Sequence, residues 1–93
     1  MKRVEIVANQ SVQEEIIAAL ETGIPGLCYT LIPTAHGRGP EDWKLGTVVW
    51  PEENFVFFTY QDETNAAEVV RIVHDLKKQF PKEGLKVWTV NAD

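Results

Sequence analysis

Polar and apolar residues alternate from Lys2 to Ala8 (KRVEIVA), with Val4, Ile6 and Ala8 on one side and Arg3, Glu5 and Val7 on the other. A period of two predicts a half-buried first strand. Ser11-Val12-Gln13-Glu14 then reads as a capping box, a hydroxyl for the first free amides and a glutamate three residues on. Val12, Ile16, Ala19 and Leu20 form one apolar stripe and Gly23 supplies the stop, so a first helix is expected over about 12–22. Pro25 and Gly26 turn the chain into a second strand, Leu27 to Ile32. A third strand is expected from Thr47 to Trp50 and from Phe55 to Tyr60, interrupted by Pro51-Glu52-Glu53-Asn54. From Asn65 the period lengthens: Ala66, Val69, Val70, Val73, Leu76 and Phe80 mark a second helix closed by Pro81 and Gly84, and Leu85 to Val90 is the last strand.

The chain thus repeats a β-α-β plan within 93 residues, enough for one domain spanning 1–93. The simplest packing is an α+β, ferredoxin-like arrangement, a four-stranded antiparallel sheet with both helices on one face. Its second face is then uncovered. Both alternating sets of Phe55 to Tyr60 are apolar, as are those of Leu27 to Ile32, and Trp88 and Val90 add to the last strand. An apolar patch of that extent predicts packing against further copies of the chain.

A net charge of −5 argues against a general nucleic-acid binder, because neutralising phosphates requires clustered Lys and Arg. Lys77, Lys78, Lys82 and Lys86 are read as a solvated surface that complements the end of the second helix. No apolar run approaches the roughly 20 residues that cross a membrane, and Glu5, Asn9 and Gln10 interrupt any signal-peptide core, so a cytoplasmic location is the expectation. Cys28 is the single cysteine, which excludes an internal disulfide; its apolar neighbours predict a buried, inert thiol.

Candidate chemistry concentrates in the polar segment at about 36–47. Gly37-Arg38-Gly39 has the composition of a backbone nest, in which amides and a guanidinium converge on phosphate or carboxylate, with Lys44 as a further cation. His36, Glu41 and Asp42 are the compact metal-capable set. Trp43, a large aromatic in a polar loop, is the candidate partner contact, while Trp50 and Trp88 are assigned to core or interface. His74 is placed at the solvent edge of the second helix, and neither histidine has a nucleophile and orienting acid nearby, so no catalytic residue is assigned.

The element order, the Gly23 to Tyr29 approach (GIPGLCY) and the Gly37-Arg38-Gly39 segment between the second and third strands make the chain resemble the PII-like signalling proteins. That resemblance implies a homotrimer with sheets packed around a threefold axis. It also implies a partner-contacting loop and clefts between subunits for an effector such as an adenine nucleotide. The chain departs from the nucleotide-binding members: Phe80-Pro81-Lys82-Glu83-Gly84 has one glycine where theirs is a Gly-rich phosphate cradle, and their C-terminal arginines and modified loop tyrosine are missing. Cys28 to Pro33 (CYTLIP) and Trp43-Lys44-Leu45-Gly46 are also similar to segments of CutA-type trimers, which implies divalent-metal binding as an alternative, although the usual His-Pro-Tyr segment is absent. The expectation is therefore a non-enzymatic regulatory trimer with a small anionic effector. A metal-binding tolerance protein and a structural trimer without effector are the alternatives.

Overall fold

A computed structural model of the chain describes residues 1–40, 43–44 and 52–93, with 43 and 44 described by their backbone alone. Along the chain lie β1 (Lys2–Asn9), α1 (Gln13–Gly23), β2 (Thr30–Ala35), β3 (Gly37–Arg38), β4 (Trp43–Lys44), β5 (Asn54–Gln61), α2 (Glu63–Gln79) and β6 (Leu85–Asn91). The main sheet has the order β2-β5-β1-β6 with every pair antiparallel, the ferredoxin-like arrangement expected from two β-α-β halves.

The alternation in β1 decides which face is covered. Val4, Ile6 and Ala8 point to the helices and are buried, and their neighbours across the ladders include Thr59, Phe57 and Phe55 on β5 and Val87 and Leu85 on β6. Ile6 lies opposite Phe57 and Val87, and Phe57 opposite Leu31, so one apolar row crosses all four strands. Val12, Ile16 and Leu20 of the first helical segment and Ala66, Val69, Val73 and Leu76 of α2 close over that row. Ile72 joins them, outside the stripe anticipated for α2. Each fully buried side chain of this size contributes roughly 1.5–3 kcal/mol.

The helix starts differ from the expected ones. Asn9, not Ser11, provides the cap: its side chain accepts from the Ser11 amide at the head of a short 3₁₀ turn (Gln10–Val12), and α1 begins only at Gln13. Ser11 spends its hydroxyl on Glu83 Oε2 instead, at 2.9 Å, so the box pattern was used for a contact with a distant turn. Helix α2 starts at Glu63, before the expected Asn65, because Asp62 Oδ1 accepts the Asn65 amide at 2.8 Å. Gly23 stands in the last turn of α1 and serves close packing: a Cβ there would come within 2.5 Å of Ile72 Cδ1. The left-handed turn belongs to Gly26, with φ of 79°.

That turn also delays β2. The Leu27 amide donates back to Ile24 O, and Thr59 Oγ1 donates to Cys28 O at 2.6 Å, so ladder pairing starts at Thr30 and runs on to Ala35 rather than covering 27–32. Cys28 therefore lies exposed, not buried as expected. Of the third strand, Phe55 to Tyr60 lies within β5; the Thr47 to Trp50 portion, with Trp50, lies outside the described residues. Among the described residues no helix is long and apolar enough to cross a membrane.

Tyr29 fastens the entry of β2 to α1: its ring stacks on Phe57, centroids 4.8 Å apart, and its hydroxyl donates to Glu21 Oε1 at 2.9 Å. The bond to Glu21, with a smaller contribution from lost solvation, holds this phenol above its ordinary value of 10.0. A raised folded-state pKa stabilises the fold fully below the unfolded phenol's pKa, and that contribution is lost as pH rises through the folded value. Alkaline absorbance titration of Tyr60→Phe, which leaves Tyr29 as the sole tyrosine, should give a midpoint above that of the unfolded chain. Glu21→Gln should bring it down; an unchanged midpoint would remove the carboxylate from this role. Independently, Asp62→Ala should destabilise the chain by about 1 kcal/mol in urea unfolding, with Asp62→Asn close to wild type.

Candidate functional site

Two regions stand apart from the covered core. The first is the outer face of the sheet. Because Phe55, Phe57 and Thr59 turn inward, Val56, Phe58 and Tyr60 turn outward, as the alternation requires. The large apolar side chains left exposed include Ile32 (45%), Tyr60 (51%), Trp88 (49%) and Val90 (49%). Trp88 is thus a surface residue of the isolated chain and not part of its core. Ladder register places Glu5 between Trp88 and Phe58, and Arg3 between Val90 and Tyr60.

Arg3 and Glu5 are charged, yet each has partners within the face. Arg3 Nε donates to Glu5 Oε1 and Arg3 Nη1 to the Tyr60 hydroxyl, both at 2.7 Å, while the guanidinium carbon sits 4.1 Å from the centroid of the Phe58 ring. The bonds to Tyr60 and then Glu5 raise the Arg3 pKa, so the cation is permanent. The alternation in β1 placed Arg3 and Glu5 on one side of the strand; nothing local in it signalled the aromatic rings beneath the guanidinium.

The second region is the stem of the 36–47 segment, which leaves the sheet between β2 and β5. A short hairpin organises what was expected to be loop: Gly37 pairs with Lys44 and Arg38 with Trp43. Gly37 is extended ladder backbone, and a Cβ on it would lie 3.3 Å from Asn54 Nδ2. The pairing brings the candidate ligand residues Gly37 and Lys44 opposite one another. Gly39 follows the ladder at its exposed end. The side chains of Trp43 and Lys44, and all of Glu41 and Asp42, lie outside the described residues.

His36 was expected to join Glu41 and Asp42 in a metal set, and the latter two lie outside the described residues. The His36 Nε2 lies 3.0 Å from Glu53 Oε2, an ion pair when the ring is protonated. Among the described residues no group of three or more His, Cys, Asp and Glu side chains is placed to hold a metal. His74 lies exposed on α2, as expected. A shallow cleft of about 300 Å³, lined by Lys2, Glu63, Ala66, Ala67, Val70 and Thr89, opens at the other end of β1 and touches none of the candidate residues.

No protein-family model matches the sequence, and no curated protein matches it. Solved structures do. A PII-like signalling protein from Thermus thermophilus superposes with a TM-score of 0.68 at 22% identity, over 98% of this chain and 85% of the other. CPII from Thiomonas intermedia K12, in a structure with ADP and bicarbonate, gives 0.69 at 15% identity over 98% and 86% of the two chains. The fold is that of the PII-like signalling proteins.

A de novo designed protein, Foldit4, also superposes, with a TM-score of 0.61 at 14% identity over 99% of this chain and 98% of the designed one. The scaffold therefore does not specify activity. On this PII-like scaffold the individual features are the aromatic outer face with its internal Arg3 ion pair and the hairpin stem carrying Arg38.

Proposed function

We propose that the chain is a regulatory module of PII-like type that assembles as a homotrimer through the outer face of its sheet. It takes a small anionic effector at the subunit boundaries, with an adenine nucleotide as the candidate, and signals through the 36–47 segment. The outer face is the observation that carries this reading. Ile32, Tyr60, Trp88 and Val90 present apolar area that the two helices cannot reach, and Arg3 and Glu5 are paired within the chain, so a second copy can cover this part of the face without stranding either charge; Lys86, opposite Val7, lies exposed on the same face. The number three comes from the PII-like resemblance. The effector class draws on the CPII structures, one with ADP and bicarbonate and another with ADP, AMP and bicarbonate. Gly37, Arg38, Gly39 and Lys44 are the residues assigned to the anion, a choice supported by the opposition of Gly37 and Lys44 in the hairpin. Trp43 is assigned to the partner.

Sedimentation equilibrium should give three times the chain mass of 10.5 kDa. Val56→Glu, between Val7 and Ile32 on the ladder, should dissociate or aggregate the assembly, since an unpaired charge in an apolar interface costs several kcal/mol, on the order of 3–5. A monodisperse monomer of the wild-type chain at micromolar concentration rules the assembly out.

Calorimetry with AMP, ADP and ATP tests the effector separately. Arg38→Ala should weaken nucleotide binding about ten- to a hundredfold, the loss of a charge-assisted bond of roughly 1.5–3 kcal/mol, and leave assembly unchanged. Equal affinity in both proteins, or no heat from any nucleotide, sinks the anion assignment. Heat and stoichiometry with divalent ions in place of nucleotides would point instead to the CutA-type alternative.

A further inference from the structure

Asn9 ends β1 and is 8% exposed, and three of its groups reach three different parts of the chain. Its backbone N–H donates to Gly84 O at 3.0 Å, in the turn between α2 and β6. Its Oδ1 accepts from the Ser11 amide at 3.1 Å and caps the turn into α1. Its Nδ2 donates to Glu52 Oε2 at 3.1 Å, where the chain returns from the 36–47 segment into β5. The residues beside it extend the pattern. The Gln10 amide donates to Glu53 O, and Gln10 Nε2 donates to Pro33 O and to Thr34 Oγ1, so both arms of the stem are held. The Ser11 hydroxyl donates to Glu83 on the opposite side.

These bonds matter because the ladder is broken where the stem begins. Pro33 has no N–H, and the β2–β5 register shifts between Ile32 and Ala35, so side chains from the β1–α1 turn stand in for regular pairing. Asparagine suits the junction for a simple reason: it offers an acceptor to the helix cap and a donor to a carboxylate at one position. An aspartate would keep the acceptor and face Glu52 with a second negative charge.

We propose that Asn9 is a positioning residue through which the turn between α2 and β6 sets the geometry of the stem at residues 34–38 and 53–55. Its regulatory meaning rests on the function proposed above; the coupling is a property of the unliganded chain and is read there. Both ends of the link are hydrogen-bonded to one short turn, so a shift of that turn moves both.

Amide hydrogen exchange of the unliganded protein tests the link. Asn9→Asp should speed exchange about three- to tenfold at residues 34–38 and 53–55, the scale of one lost hydrogen bond. Adding Glu52→Gln should restore it, because the glutamine amide then donates to the new carboxylate. Glu83→Ala should speed exchange at the same stem amides, and Glu83→Gln, which keeps an acceptor for Ser11, should not. The proposal is overturned if the effect of Glu83→Ala stays within residues 80–85, or if Glu52→Gln fails to rescue Asn9→Asp. Neither reading depends on nucleotide or on assembly, so a chain that assembles and binds nucleotide without this coupling defeats the link alone.

Discussion

Strand β5 is apolar on both of its faces, and two helices can cover only one face of a four-stranded sheet. The arrangement of the chain follows from how that conflict is resolved. Phe55 and Phe57 go inward, pair across to Ala8 and Ile6, and receive the apolar stripes of α1 and α2. Period-two geometry then forces Val56, Phe58 and Tyr60 outward, where β6 adds Trp88 and Val90. A slip of β1 by one residue against β5 would turn β1 over and put Arg3 and Glu5 under the helices, so the charged pair on β1 helps to fix the register.

The same pair shapes what the outer face is able to do. A guanidinium over an aromatic ring, with its N–H groups directed to a carboxylate and a phenol, is already satisfied before anything docks. Such a surface suits burial against another apolar surface better than capture of a polar ligand. Effector chemistry, in the proposed reading, is placed at the subunit boundaries, at the end of the sheet where β2 and β5 open into the hairpin stem.

The likeness to PII-like structures and the likeness to a designed protein teach complementary lessons. Two β-α-β halves closing into this sheet is a packing solution that sequences of very different origin reach, so the shared topology carries little chemistry of its own. What distinguishes this chain is where polar groups are spent. Asn9, Gln10 and Ser11 spend theirs on two turns that are remote in sequence, where a generic β1–α1 connection needs only a helix cap.

Local sequence determined the elements that rest on local physics. Alternation in Lys2 to Ala8 fixed β1 and its buried side, the three- and four-residue recurrence of Ala66, Val69, Val73 and Leu76 fixed the covered face of α2, and their order implied the ferredoxin-like sheet. Tertiary structure decided everything that depends on partners far along the chain. Ser11 looked like a cap because the pattern around it is local, yet Asn9 takes that role and Ser11 turns to Glu83, 72 residues away. His36 meets Glu53, 17 residues on, because the chain returns beside itself at the stem, a contact its sequence neighbours did not signal. Nothing local to Gly37 signalled its ladder pairing with Lys44, seven residues on. Periodicity reports which side of an element an apolar residue occupies, since burial acts on each element as a whole. Hydrogen bonds and ion pairs are decided by distances of about 3 Å between side chains, and those distances exist only after the sheet has set its register.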